Sequence, residues 1–257
     1  VFGVLRLYGE TAVLAARRGL RAWPVAFSLV LYAAILYLTV PLVAPLGLAG
    51  GLVIGLVSAA CLSSYLHLIS HAVAGTRLHF ADLRRSFGAR FWDVVSVMFV
   101  LWILRRLLQL LAEPAGARGP VIMALAGLAI AVFFNPVPEL LYQGTSRSLQ
   151  LLLDSIRFIS RYGLEWLIPN VLFALALLAP VGLLHGPPGQ VVLTVTGILT
   201  PDSNGVGLLL VFIRAPWFVQ LPMLLFVHWV MVFRGILWKE LESGGPRQRG
   251  LREVWRR

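Results

Sequence analysis

Cysteine, acidic residues and charge in general are scarce in this chain of 257 residues. Its one cysteine, Cys61, lies inside an apolar run. A single thiol excludes an internal disulfide and a cysteine-based zinc or iron–sulfur site, and in such a setting it reads as a small packing residue. Charged residues make up 13% of the chain, against roughly a quarter in soluble domains. Only 11 residues are Asp or Glu. The glycine-rich phosphate loop ending in Gly-Lys-Ser/Thr is missing, as are the Gly-x-Gly-x-x-Gly turn, the Gly-x-Ser-x-Gly elbow and His-Glu-x-x-His. With five histidines there are no multiple histidine boxes of the di-iron type. These absences disfavour an enzyme; the sequence nominates no catalytic residue, no metal site and no cofactor.

Apolar residues are abundant instead, at 59% of the chain with a mean hydropathy of +0.85. A soluble fold of this length cannot hide so much apolar surface, and the arrangement predicts an all-α class, a polytopic transmembrane helical bundle. A helix needs about 20 apolar residues to cross the hydrocarbon core. Six runs qualify, at about 24–46, 51–73, 91–111, 121–142, 164–184 and 206–237. Arg105 and Arg106 interrupt the third, and Pro216 and Pro222 break the sixth. Residues 1–238 form a single transmembrane domain in this reading, and 239–257 a basic cytoplasmic tail. Residues 1–22 carry Arg6, Glu10, Arg17, Arg18 and Arg21 and no uninterrupted apolar core, so they read as a basic amphipathic helix on the membrane surface rather than a secretory signal. A second interfacial helix is expected at 146–162, with Leu149, Leu152, Leu153, Ile156 and Ile159 on one face. Residues 191–196 read as a short strand or a shallow interfacial segment. The Gly47/Gly51/Gly55 and Gly119/Ala124 spacings are compatible with close helix contact.

The net charge of +11 sits in short blocks between apolar runs, a pattern of membrane topology and anionic lipid headgroups rather than of nucleic-acid binding. With six spans, eighteen of the 22 Lys and Arg fall on the side of the two termini, the 75–90 loop and the 146–162 segment. The other four are Arg105, Arg106, Arg118 and Arg214. The positive-inside rule then makes both termini cytoplasmic. Trp23, Trp92, Trp166 and Trp238 lie near the cytoplasmic span ends, where indole rings prefer to sit.

Polar groups at membrane depth are costly and are treated as candidate sites. Asn135, Glu139, His67, His71 and His228 fall in one predicted layer, with Asp93, Glu165 and Asn170 near it. Two prolines in Phe134-Asn-Pro-Val-Pro-Glu139 predict that the fourth span deviates or stops between Phe134 and Leu140. Asn135 is suited to satisfying the carbonyls freed there. Glu139 either meets headgroup water or finds a partner in His67, His71 or a basic residue of the 75–90 loop. His67, His71 and His228 at similar depth read as interhelical hydrogen-bonding groups rather than ligands. Arg105, Arg106 and Arg214 are candidate lipid-phosphate contacts, or snorkel to headgroups.

The basic amphipathic start, the tight first hairpin and the segment Gly75-Thr-Arg-Leu-His-Phe-Ala-Asp-Leu-Arg-Arg-Ser-Phe-Gly88 leading into Phe91-Trp92 resemble a loose group of six-span bacterial membrane proteins. The group includes domains of unknown function and the membrane domain found beside some glycerophosphodiesterases. The resemblance implies a bacterial inner-membrane location and carries no activity or site residue. The chain is also similar, less closely, to the membrane subunits of type-2 ABC exporters, which share the surface helix, six spans and inner termini. Two functions are therefore expected to compete: a non-catalytic membrane subunit or assembly factor with protein partners in the envelope, and a transport component.

Overall fold

The computed structural model describes residues 2–144, 148–185 and 217–243, and every regular element among them is helical. In chain order these are α1 (Phe2–Arg21), α2 (Trp23–Val43), α3 (Leu48–Ala74), α4 (Phe80–Ser86), α5 (Phe91–Ala112), α6 (Gly119–Phe133), α7 (Val137–Gln143), α8 (Ser148–His185) and α9 (Trp217–Glu242). Short 3-10 turns follow α2 at Ala44–Leu46 and α5 at Glu113–Arg118. The 191–196 segment, Arg214 and Pro216 lie outside the described residues.

Among the described residues, four stretches are long and apolar enough to cross a membrane: Trp23–Leu46, Leu48–Ala74, Phe91–Gln143 and Gln220–Glu242. The third is not one rod. Gly116 adopts φ 56 inside it, a backbone region that glycine enters without a Cβ clash, and α5 and α6 turn back to pack on each other. Pro222 is accommodated within α9, which continues through it to Glu242. Leu38, Leu42, Phe99, Leu110, Leu111 and Leu125 point outward and are exposed. An apolar surface of that extent is compatible with lipid rather than water around the bundle.

Helix α3 is the hub, packed against α1, α2, α4, α5, α7 and α9. Small residues on its buried face, Ser63, Ser64 and Ala72, let neighbours approach among Leu66, Ile69 and Val73. The hydroxyls on this face are used. Tyr32 and Ser64 share a hydrogen bond of 2.6 Å, Ser64 meets Ser86, and Ser86 donates to the Leu83 carbonyl at 2.7 Å. That string ties α2, α3 and α4 together.

Of the small residues spaced for close contact, Gly119 is in one, since a Cβ there would meet the Ala112 carbonyl at 2.8 Å. A Cβ on Gly51 or Gly55 would meet nothing within 4 Å, whereas one on Gly50 would run into the Val43 carbonyl. The tight α2–α3 turn therefore depends on Gly47, at φ 56, and on Gly50.

Helix α1 packs along α9. Leu7, Thr11, Ala15 and Ala22 are buried, while Leu5, Val13 and Leu20 face out. Trp229 Nε1 donates to the Ala12 carbonyl at 3.4 Å. Tyr8 donates to the Glu165 carbonyl at 2.8 Å; burial first, and then the Glu165 charge, push its phenol above the ordinary value, which keeps it a donor. Arg18 donates to the Val73 carbonyl at the C-terminal end of α3, satisfying a group the helix leaves without an internal partner.

Helix α8 covers 38 residues in two helical parts. Its dihedrals break at Tyr162, with φ −126 and ψ 19. The kink falls at the end of the 146–162 segment and divides it from the apolar run after it. Of the apolar face expected to turn toward acyl chains or the bundle, Leu152 and Ile159 are buried in the bundle. Leu151, Leu152, Ser155, Phe158 and Ile159 are buried, while Leu149, Leu153 and Ile156 are exposed. We expect Leu152→Asp, at 6% exposure, to lower stability in detergent by about 2–3 kcal/mol, the cost of placing a charge in apolar surroundings. Leu153→Asp, at 52% exposure, breaks into no packed contact of the bundle and should cost less. Thermal unfolding of both variants in one micelle checks this, and equal losses would mean that the face is misassigned.

Candidate functional site

The site is built from the break between α6 and α7. Pro136 and Pro138 have no N–H to give to the preceding turn, and the chain leaves the helix at residues 134–136. Val137 N–H reaches back to the Phe134 carbonyl at 3.1 Å. Two further freed carbonyls are satisfied from other helices. Ser155 of α8 donates to the Phe133 carbonyl at 2.7 Å. Arg234 of α9 donates through Nη2 to the Asn135 carbonyl at 2.7 Å. The Asn135 side chain does not satisfy those carbonyls; its Oδ1 accepts from Trp166 Nε1 at 2.8 Å.

Glu139 is fully buried at 0% side-chain exposure, and Arg234 is 14% exposed. The pair is bidentate: Arg234 Nε donates to Oε1 at 2.8 Å and Nη2 to Oε2 at 2.8 Å. The guanidinium also lies over the Trp166 ring, 5.3 Å from its centroid, where the aromatic quadrupole favours a cation. Trp166 is completely buried and is held edge-on by Phe158 at 5.3 Å. Glu139 thus finds its partner in α9. Neither His67, His71 nor the 75–90 loop supplies it.

The far end of α7 is held as tightly. Arg90 donates to the Leu141 carbonyl and, at 3.2 Å, to the Tyr142 carbonyl. Gln143 Nε2 donates to the Gly235 carbonyl at 2.9 Å. A Cβ on Gly235 would collide with the Tyr142 hydroxyl and with Val73 Cγ2, so α9 approaches α3 and α7 as closely as a glycine allows. Arg18, Arg90 and Arg234, three residues of the charge blocks, all donate to main-chain carbonyls at helix ends or breaks.

The other candidate residues are dispersed. His67 and His71 make an edge-on ring contact at 4.8 Å on α3. His228 is buried against α1, with Nε2 3.3 Å from the Gly19 carbonyl. Among the described residues, no three of His, Cys, Asp and Glu come together in a metal-holding group. Asn170 Nδ2 turns back to the Trp166 carbonyl at 2.6 Å. Arg106 lies over Trp102 at 5.6 Å and donates to Gln109 at 2.9 Å. Arg105 is half-buried in α5. Arg214 lies outside the described residues.

Sequence reasoning missed Arg234, Ser155 and Trp166 as members of the cluster. The helical spacing did hold a signal for Arg234: Val230, Met231, Leu237 and Trp238, its neighbours at three and four residues, are all apolar, which puts a cation on the packed face.

No family model, no curated protein and no solved structure matches the chain.

Proposed function

We propose that this is a six-span protein of a bacterial inner membrane, with both termini in the cytoplasm, acting as a non-catalytic membrane subunit that holds other envelope proteins. The observation that carries the reading is the Glu139–Arg234 pair. The buried carboxylate in the broken helix is neutralised and doubly hydrogen-bonded, and the same cation holds the freed backbone, so these polar groups join helices rather than await a substrate. Six spans are supported by the reversal at Gly116, which lets the Phe91–Gln143 stretch count twice, and by the apolar second part of α8. Interfacial roles for α1 and for the first part of α8 follow from their basic faces. The inner location rests on the charge asymmetry and on the resemblance to six-span bacterial proteins.

The orientation has a direct test. Ser86 is buried and bonded and makes a poor labelling position, but Ala89 and Arg118 are exposed. In a Cys61→Ala background, Ala89→Cys should be protected from an impermeant thiol reagent in intact cells, and Arg118→Cys should react. The reverse pattern would overturn the orientation.

Co-purification of the full chain in mild detergent tests the function, and stoichiometric envelope proteins without ATPase activity are the expected companions. The second reading, a transport component such as an exporter's membrane subunit, is favoured by the interrupted span, because discontinuous helices build binding sites in transporters. A stoichiometric ATPase in the same preparation would replace the first reading with the second.

A further inference from the structure

A cavity of about 470 Å³ lies between the end of α7, the first part of α8 and the end of α9, within the roughly 300–1,000 Å³ typical of small-ligand sites. Phe158, Tyr162 and Trp238 supply aromatic walls, and Asp154, Arg157, Arg161 and Glu242 supply charge. Arg157 is already bound to Asp154, Nη1 to Oδ1 at 3.0 Å. Arg161 rests over the Tyr162 ring at 5.2 Å. Among the described residues, neither Arg161 nor Glu242 has an ion-pair partner. Two buried polar atoms of lining residues also lack a hydrogen-bond partner: the indole N–H of Trp238, a side chain 5% exposed, and Oε1 of Gln143.

These groups select by charge. The four charged side chains sum to zero, with one cation and one anion left over. A simple anion would satisfy Arg161 and be repelled by the carboxylates; a simple cation would meet the opposite problem. A ligand bearing both charges a few bonds apart satisfies both. Guanidinium and indole N–H groups are donors suited to phosphate oxygens. A carboxylate, an amide oxygen and aromatic faces are suited to an ammonium group. On the outer side of the same helix, Leu149, Leu153 and Ile156 form an exposed apolar row along which acyl chains can lie.

We propose that this cavity binds a phosphoethanolamine group, presented as the headgroup of a phosphatidylethanolamine in the leaflet that faces this end of the bundle. The phosphate is taken by Arg161 and the ammonium by Glu242. The lipid source rests on the proposed membrane placement, whereas the charge chemistry of the cavity does not.

The test uses the purified full chain in detergent with dioleoyl phosphatidylethanolamine, dioleoyl phosphatidylglycerol, soluble phosphoethanolamine or inorganic phosphate added. Lipid retention by native mass spectrometry and the shift in Tm are read for each. Phosphatidylethanolamine should be retained about tenfold more tightly than phosphatidylglycerol, and Arg161→Gln and Glu242→Gln should each remove about that factor, as expected for loss of one charge-assisted contact. Arg118→Gln, in the α5–α6 turn, should leave the preference unchanged. Stabilisation by soluble phosphoethanolamine without lipid preference would keep the site and make its ligand a soluble compound. Equal effects of phosphatidylglycerol or inorganic phosphate would overturn the proposal in the native chain, with no variant needed. A lipid preference that survives in both correctly folded variants would overturn it as well. A reversed labelling pattern at Ala89 and Arg118 with the preference intact would defeat the orientation and leave the site standing.

Discussion

Replacing Arg234 with methionine is expected to lower the unfolding free energy in detergent by about 3–5 kcal/mol, the usual cost of leaving one member of a buried ion pair alone. Three losses coincide in that variant. Glu139, with no exposed side-chain surface, loses both hydrogen bonds; the Asn135 carbonyl loses its donor; and Trp166 loses the cation over its ring. Glu139→Gln should cost less, because an amide can still accept from the guanidinium while the cation keeps its carbonyl contact. Combining Glu139→Leu with Arg234→Met should recover much of the loss, since an apolar pair of similar volume leaves no charge without a partner. A double-mutant cycle read by thermal unfolding measures the coupling. Additive effects would mean that the pair contributes nothing specific, and the site built around it would fall.

Gly235→Leu should prevent the bundle from closing. Even a Cβ at this position runs into the Tyr142 hydroxyl and Val73 Cγ2. Both neighbours are buried, at 3% and 0% exposure, so neither can swing away into open space. For Gly235→Ala we expect a net loss of up to about 2 kcal/mol: overpacking a tight contact costs about 1–3 kcal/mol, partly offset by the roughly 1 kcal/mol that alanine gains over glycine inside a helix. Gly55→Ala is the control. It meets open space and should show the propensity gain alone, up to about 1 kcal/mol. The melting temperatures should therefore move in opposite directions. A stabilised Gly235→Ala variant would mean that α9 does not approach α3 and α7 this closely.

The break at Pro136 and Pro138 was legible because it is a local property of two residues that cannot donate. Likewise the turn at Gly47 could be read from its own short segment. What joins the site was not legible in this way. Arg234 stands five residues before Lys239, and counting basic residues for topology groups it with the charges of the tail. Only its apolar neighbours one turn away distinguish it. Which part of the α8 face packs in the bundle was not legible for a related reason. Leu149, Leu151, Leu152 and Leu153 permit more than one helical stripe, and a purely apolar template passes over Ser155. Yet Ser155 is buried because the Phe133 carbonyl, 22 positions earlier, needs a donor. Glu139 could be recognised as costly, while its partner lies 95 residues away, beyond any local pattern.

That separation bears on how the chain is made. Synthesis runs from the N-terminus, so α6 and α7 are made well before α9 has emerged. An isolated helix as short as α7, with seven residues, has little stability of its own. Until the last helix arrives, the carboxylate of Glu139 and the Asn135 carbonyl have no Arg234 to meet. Packing of the α6–α7 break is therefore completed only when α9 docks against it. A chain stopped before residue 217 would hold the Glu139 carboxylate without the cation that neutralises it.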